Sequence, residues 1–189
     1  KAINYFGKKN NEIPVFLWVH AEDKLIERYA RMLFVSDFSR MQILCVSANV
    51  EKHLVDVLPA TKGKTSLFFY GCVDKLSAEE TRKEPNGKFI ISVIGRICPR
   101  KNQLQVVDAV NLLPDSCKER VEVRFVAASA DSDYKAKLIE KTRLDKKFVL
   151  CGGVPREKMV DVYTNSDLVV CCSTDDPLPV VVTEAMMYK

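Results

Sequence analysis

Two short stretches carry side chains of types and spacing that could do chemistry. The first is Gly95-Arg96-Ile97-Cys98-Pro99-Arg100-Lys101-Asn102, in which three cations fall within six residues. It follows an apolar run, 89–94 (FIISVI), and precedes a stretch of helical period. Arginine offers a planar fork matched to phosphate oxygens, and lysine a compact point charge. Asn102 is a good N-cap, and the free amides of the helix it would open favour anions. A phosphate site and a solvated basic turn both fit this pattern.

The second stretch is Ser173-Thr174-Asp175-Asp176-Pro177-Leu178-Pro179, followed by Val180-Val181-Val182-Thr183-Glu184-Ala185-Met186-Met187. Asp176 and Glu184 offer acceptor oxygens to hydroxyl groups, and two prolines restrict the loop. A helix opening near Pro179 puts Glu184 in its second turn. The valine triplet pulls the other way, because β-branched residues favour strands. An acidic cap followed by a surface glutamate fits the same residues. His20, after the apolar run 14–19, is either a histidine satisfied by its neighbours or an active-site group. His53 lies within an amphipathic stretch and reads as surface.

These residues need a scaffold, and apolar runs of strand length alternate with helical periods along the chain. Strands are expected at 14–19, 42–47, 65–70, 89–94, 121–127, 148–151 and 168–172. Helices are expected at 22–34, 49–58, 102–113, 132–143, 156–166 and from 178 onward. The runs are continuously apolar, as in strands covered on both faces, and helices between them supply parallel crossovers. The fold class is therefore α/β with doubly wound parallel sheets, whose ligands bind beyond the carboxyl ends of the strands. Residues 75–88 turn polar and carry Pro85 and Asn86-Gly87. The expected division is 1–76 as part of a first domain, 77–88 as linker and 89–189 as a second domain.

Composition removes several function classes. The 189 residues carry a net charge of +4 with interleaved signs, 47% hydrophobic and 29% charged, so disorder and a nucleic-acid stripe are not expected. Seven cysteines without a CxxC pair fit neither a zinc site nor a disulfide framework, and read as small core residues of a reducing, cytoplasmic compartment. No run reaches the ~20 apolar residues of a membrane span. No GxGxxG follows a strand, which removes a dinucleotide oxidoreductase.

Together the two stretches resemble the C-terminal domain of retaining glycosyltransferases of the GT-B fold, glycosyltransferase family 4 (group 1). Gly95-Arg96 and Lys101 match the family's G-R-x-x-x-x-K stretch. Asp176 stands eight residues before Glu184 of Glu184-Ala185-Met186, where the family carries two glutamates. Gly152, Tyr163, Asp167 and Ser173 resemble its spaced glycine, tyrosine, aspartate and serine. Cys45-Val46-Ser47 and Val73-Asp74 resemble segments near its domain junction.

The resemblance implies transfer of a sugar from a nucleoside-diphosphate sugar to a glycan or glycolipid acceptor in polysaccharide biosynthesis, with no metal and no cofactor. Arg96 and Lys101 would hold the diphosphate, Asp176 the donor sugar and Glu184 the ribose hydroxyls. Leu178 would join the donor-binding set, and the base would lie at Gly152, Gly153 and Val154. His20, Arg96, Lys101 and Asp176 form the expected catalytic set. Asp176 is one methylene shorter than the family's glutamate, which favours the alternative of a non-catalytic nucleotide-sugar-binding or scaffold protein. The chain reads as a fragment that begins inside the first domain and stops within the second. Helix 22–34, with Lys24, Arg28 and Arg31, packs on its own sheet or meets a membrane surface peripherally.

Overall fold

The computed structural model describes residues 15–20, 24–28, 41–69, 71 and 87–188. Most of the expected linker, Val73-Asp74, Cys72 and Arg31 lie outside them. Backbone proximity divides the chain into two units, Lys1–Gly71 with Asp175–Leu178, and Cys72–Thr174 with Pro179–Lys189.

The first unit holds a three-stranded parallel sheet of β1 (Val15–Val19), β2 (Met41–Cys45) and β3 (Thr65–Leu67), in that order. Helix α1 (Ala48–Val57) crosses from β2 to β3 and is opened by Ser47, whose side chain accepts the Val50 N–H at 3.3 Å. Its Val50 and Leu54 meet Ile43, Cys45 and Val46 in the core. Residues 24–28 are helical and send Ile26 into that same core, leaving Lys24 and Arg28 exposed. β3 stops at Leu67, short of the expected 70, where β2, its partner among the described residues, ends opposite it at Cys45. His53 is half-buried rather than on the surface, and its Nε2 is buried without a partner among the described residues.

The second unit repeats the alternation more fully. Its strands are β4 (Phe89–Ile94), β5 (Val121–Val126), β6 (Phe148–Gly152) and β7 (Leu168–Val169), all parallel, in the order β6-β5-β4-β7. Between them run α2 (Gln103–Asn111), the single turn α3 (Asp115–Lys118), α4 (Ser132–Thr142) and α5 (Met159–Thr164), and α6 (Val180–Met187) follows. Four successive residues of β4, Ile90 to Val93, are buried, which is why that run lacks alternation. Val107, Val123, Phe125 and Leu138 fill the core, and Phe125 stacks on Phe148 at 6.4 Å.

Cysteines depart from the core reading. Cys45 is buried, and desolvation followed by the charge of Glu51 pushes its thiol up to about 11. Cys98, Cys171 and Cys172 are half-buried, whereas Cys117 and Cys151 are exposed. Cys151 lies on β6 at the register shift between the Phe125–Leu150 and Val126–Gly152 pairs.

Asp167 ties the start of β4 to β7. Its Oδ2 accepts the Ile90 N–H at 2.7 Å while its own N–H donates to the Ile90 carbonyl at 2.8 Å. A charged acceptor on a half-buried amide contributes on the order of 1.5–3 kcal/mol. Asp167→Ala is expected to lower the urea midpoint by a destabilisation of about that size, with the slope unchanged, in equilibrium unfolding.

Candidate functional site

Strand order places the chemistry. In the second unit β5 and β6 run outward from one side of β4 and β7 lies on the other, so the order reverses between β4 and β7. Loops leaving two such strands diverge and open a crevice at their carboxyl ends. The loop after β4 is the cationic stretch, and the loop after β7 leads into the acidic one.

Backbone hydrogen bonds stitch the loops at this edge. Gly95 N–H donates to the Val126 carbonyl at 2.9 Å, and Ile97 pairs with Ala130 as an isolated parallel bridge. Ala127 N–H donates to the Gly152 carbonyl at 2.8 Å. Across the switch point, Thr174 N–H donates to the Arg100 carbonyl at 2.9 Å, and the Cys172 thiol donates to the Lys101 carbonyl at 3.0 Å. Desolvation is the main cause that raises the Cys172 thiol above its usual range, keeping it the donor in that bond. β7 is two residues long instead of the expected five, and Val170 N–H still donates to the Ser92 carbonyl of β4 at 2.9 Å.

Gly95 stands at φ +135°, a backbone region that side-chain-bearing residues rarely enter. A Cβ there would lie 3.7 Å from Lys101 Cε, so the lysine stem runs past the glycine. Arg96 is exposed and forms no ion pair among the described residues. Its carbonyl accepts from Gln103 Nε2 at 2.8 Å. Gln103 is 1% exposed and its Oε1 is buried without a partner among the described residues. Sequence reasoning missed this glutamine; its one signal is a polar residue at the inward position of the helix's first turn.

The helix after the cations begins differently from expectation. Pro99–Lys101 forms a 3₁₀ turn, Asn102 is left-handed at φ 52°, and α2 starts at Gln103. The Asn102 side chain does not cap; its Nδ2 donates to Gln105 Oε1 at 2.8 Å. The phenol of Tyr134 accepts the Leu104 N–H instead, at 3.0 Å. One amide expected to face an anion is therefore already bonded, and the side-chain cations carry more of the attraction.

Glu184 lies in the second turn of α6, which starts at Val180 despite the valine triplet. Its carboxylate is held from both sides. Tyr163 OH donates to Oε2 at 2.5 Å, and Arg156 Nη2 donates to Oε1 at 3.2 Å. Gly152, Gly153 and Val154 lead directly into the turn that carries Arg156. Gly152 has φ +72° with open space where a Cβ would stand. Gly153 differs: a Cβ there would come within 2.9 Å of Ala128 Cα. The backbone after β5 takes up the space that a side chain at Gly153 would need.

The remaining expected residues belong to the first unit. His20 is exposed directly after β1, Leu178 packs against that unit's core, and Asp176 is half-buried within Asp175–Leu178.

Residues 74–189 match the family described as Glycosyl transferases group 1. The phosphatidylinositol N-acetylglucosaminyltransferase GPI3 subunit of Saccharomyces cerevisiae is 30% identical over 106 residues, 55% of this chain and 23% of that protein. The sucrose-phosphate synthase of Thermosynechococcus elongatus superposes with a TM-score of 0.74 at 18% identity, over 96% of this chain and 50% of that one. An α,α-trehalose-phosphate synthase (UDP-forming) from Burkholderia xenovorans gives 0.77 at 10% identity, over 100% of this chain and 53% of that one. These structural likenesses show the fold, the GT-B arrangement expected above. The chain spans less than a quarter of the yeast relative and about half of each synthase.

Overpacking a close backbone approach costs on the order of 1–3 kcal/mol. Gly153→Ala is therefore expected to destabilise the chain by about that much in urea unfolding, through Ala128.

Proposed function

This chain belongs to the glycosyl transferases of group 1, and from that premise we propose that it carries the donor-side machinery of a retaining glycosyltransferase. The donor is a nucleoside-diphosphate sugar and the acceptor a glycan or glycolipid, in polysaccharide biosynthesis at the cytoplasmic side. In the transfer, a hydroxyl oxygen of the acceptor bonds to the anomeric carbon and loses its proton. The bond from that carbon to the diphosphate breaks, and its electron pair leaves on the phosphate oxygen.

Negative charge therefore develops on the departing diphosphate, and fixed cations beside it lower the barrier without rearranging at the moment of reaction. Arg96 and Lys101 take that role. Glu184 accepts from the ribose hydroxyls, Asp176 bonds a hydroxyl of the donor sugar, and His20 completes the catalytic set. In this reading Gly152, Gly153 and Val154 take the base, and Leu178 joins the donor-binding set. No metal or cofactor is required in this reading, because the cations supply the positive charge. The supporting observation is the cationic turn after β4, bonded through Arg100 and Lys101 to the loop after β7 at the switch point.

The short Asp176 side chain favours a second reading, a nucleotide-sugar-binding protein without transfer. Assay of donor consumption by the wild type and by Asp176→Asn separates the two. Transfer that falls in the variant supports the enzyme; no turnover in either supports the binder.

Calorimetry with UDP, GDP and ADP is expected to find one that binds. Arg96→Ala and Lys101→Ala should each weaken it at least tenfold, about 1.4 kcal/mol. Unchanged affinity in both variants contradicts the diphosphate assignment.

A further inference from the structure

Both oxygens of the Glu184 carboxylate are held by residues distant in sequence, one buried and one exposed. Tyr163 is 3% exposed, and its ring stacks on Tyr188 at 5.3 Å with the planes 6° apart, so the phenol has little freedom. Its O–H reaches Glu184 Oε2 at 2.5 Å. The Arg156 side chain is 75% exposed, that of Glu184 only 17%, and the two meet through Oε1 at 3.2 Å. Arg156 opens the turn that follows the Gly152-Gly153-Val154 loop.

We propose that Tyr163 and Arg156 are positioning residues that aim Glu184 at two adjacent hydroxyls, and so make the site selective for a ribonucleotide over a deoxyribonucleotide. The proposal rests on Glu184 as the ribose-binding group. A carboxylate has about four lone-pair directions. Tyr163 occupies one on Oε2 and Arg156 one on Oε1, and each oxygen keeps one outward direction. Two outward acceptors, one per oxygen, match a vicinal diol, whose two O–H donors lie side by side. A carboxylate free to rotate would lose that match, because ordering it on binding costs side-chain entropy. The buried phenol restricts rotation, and the arginine couples the carboxylate to the loop after β6.

The direct test is calorimetry on the chain with UDP, GDP and ADP, each beside its 2′,3′-dideoxy counterpart. The wild type should bind one ribonucleotide at least tenfold more tightly than its dideoxy form. Tyr163→Phe, which keeps the stacked ring, should weaken that ribonucleotide at least fivefold and leave its dideoxy form unchanged. Arg156→Gln, at an exposed side chain, should give the same ribose-selective loss of twofold or more, and decides the outcome if removing the phenol upsets folding. Equal loss for both ligand forms, or no loss, overturns the proposal while leaving the diphosphate reading intact. A wild type that binds the ribonucleotide and its dideoxy form equally overturns the assignment of Glu184 itself.

Discussion

One backbone hydrogen bond and its sulfur neighbour hold the site together. Thr174 N–H on the Arg100 carbonyl, with the Cys172 thiol on the Lys101 carbonyl, joins the two loops that leave the sheet at its switch point. Loops at such a point diverge by topology, since they lead to helices on opposite faces of the sheet. With this tie, the main chain of the turn is fixed by polar groups of its own.

The same economy recurs around the edge. Gly95 bonds to Val126, Ile97 bridges to Ala130, Ala127 bonds to Gly152, and Gln103 holds the Arg96 carbonyl. Buried main-chain groups are thereby satisfied, and the loops gain a fixed geometry before any anion arrives. Preorganised charge is effective because nothing has to reorient as the leaving group ionises. Glu184 extends the pattern to an acceptor, restrained by the Tyr163 phenol and the Arg156 guanidinium.

Much of this was legible in the sequence, for physical reasons that also mark where legibility stops. Apolar runs identified the strands, and the helical periods between them required parallel pairing; four successive residues are buried in β4, whereas β1 alternates and leaves Phe16 and Trp18 exposed. The cationic and acidic stretches stood out because their charges follow directly on strand ends, the edge at which parallel sheets bind ligands. The start of α6 was readable from Pro179 even against three valines, since tertiary placement outweighs β propensity. Strand ends were not readable: β3 stops where β2 ends opposite it, and β7 keeps only a short ladder with β4. Nor was the role of Gly153: its missing side chain makes room for Ala128, a residue 25 positions earlier. The capture of Leu104 by Tyr134 and of Glu184 by Tyr163 depends on side chains brought from other helices. No local spacing encodes such contacts.

The measurement that bears most directly on a single nucleotide site at this sheet edge is amide chemical-shift mapping of the labelled chain during titration with UDP, GDP or ADP. Changes are expected to concentrate at 95–102, 152–156 and 173–174 together, with one shared dissociation constant across the three loops. Shifts confined to one of these loops, or separate constants for the loops on either side of the switch point, would contradict it.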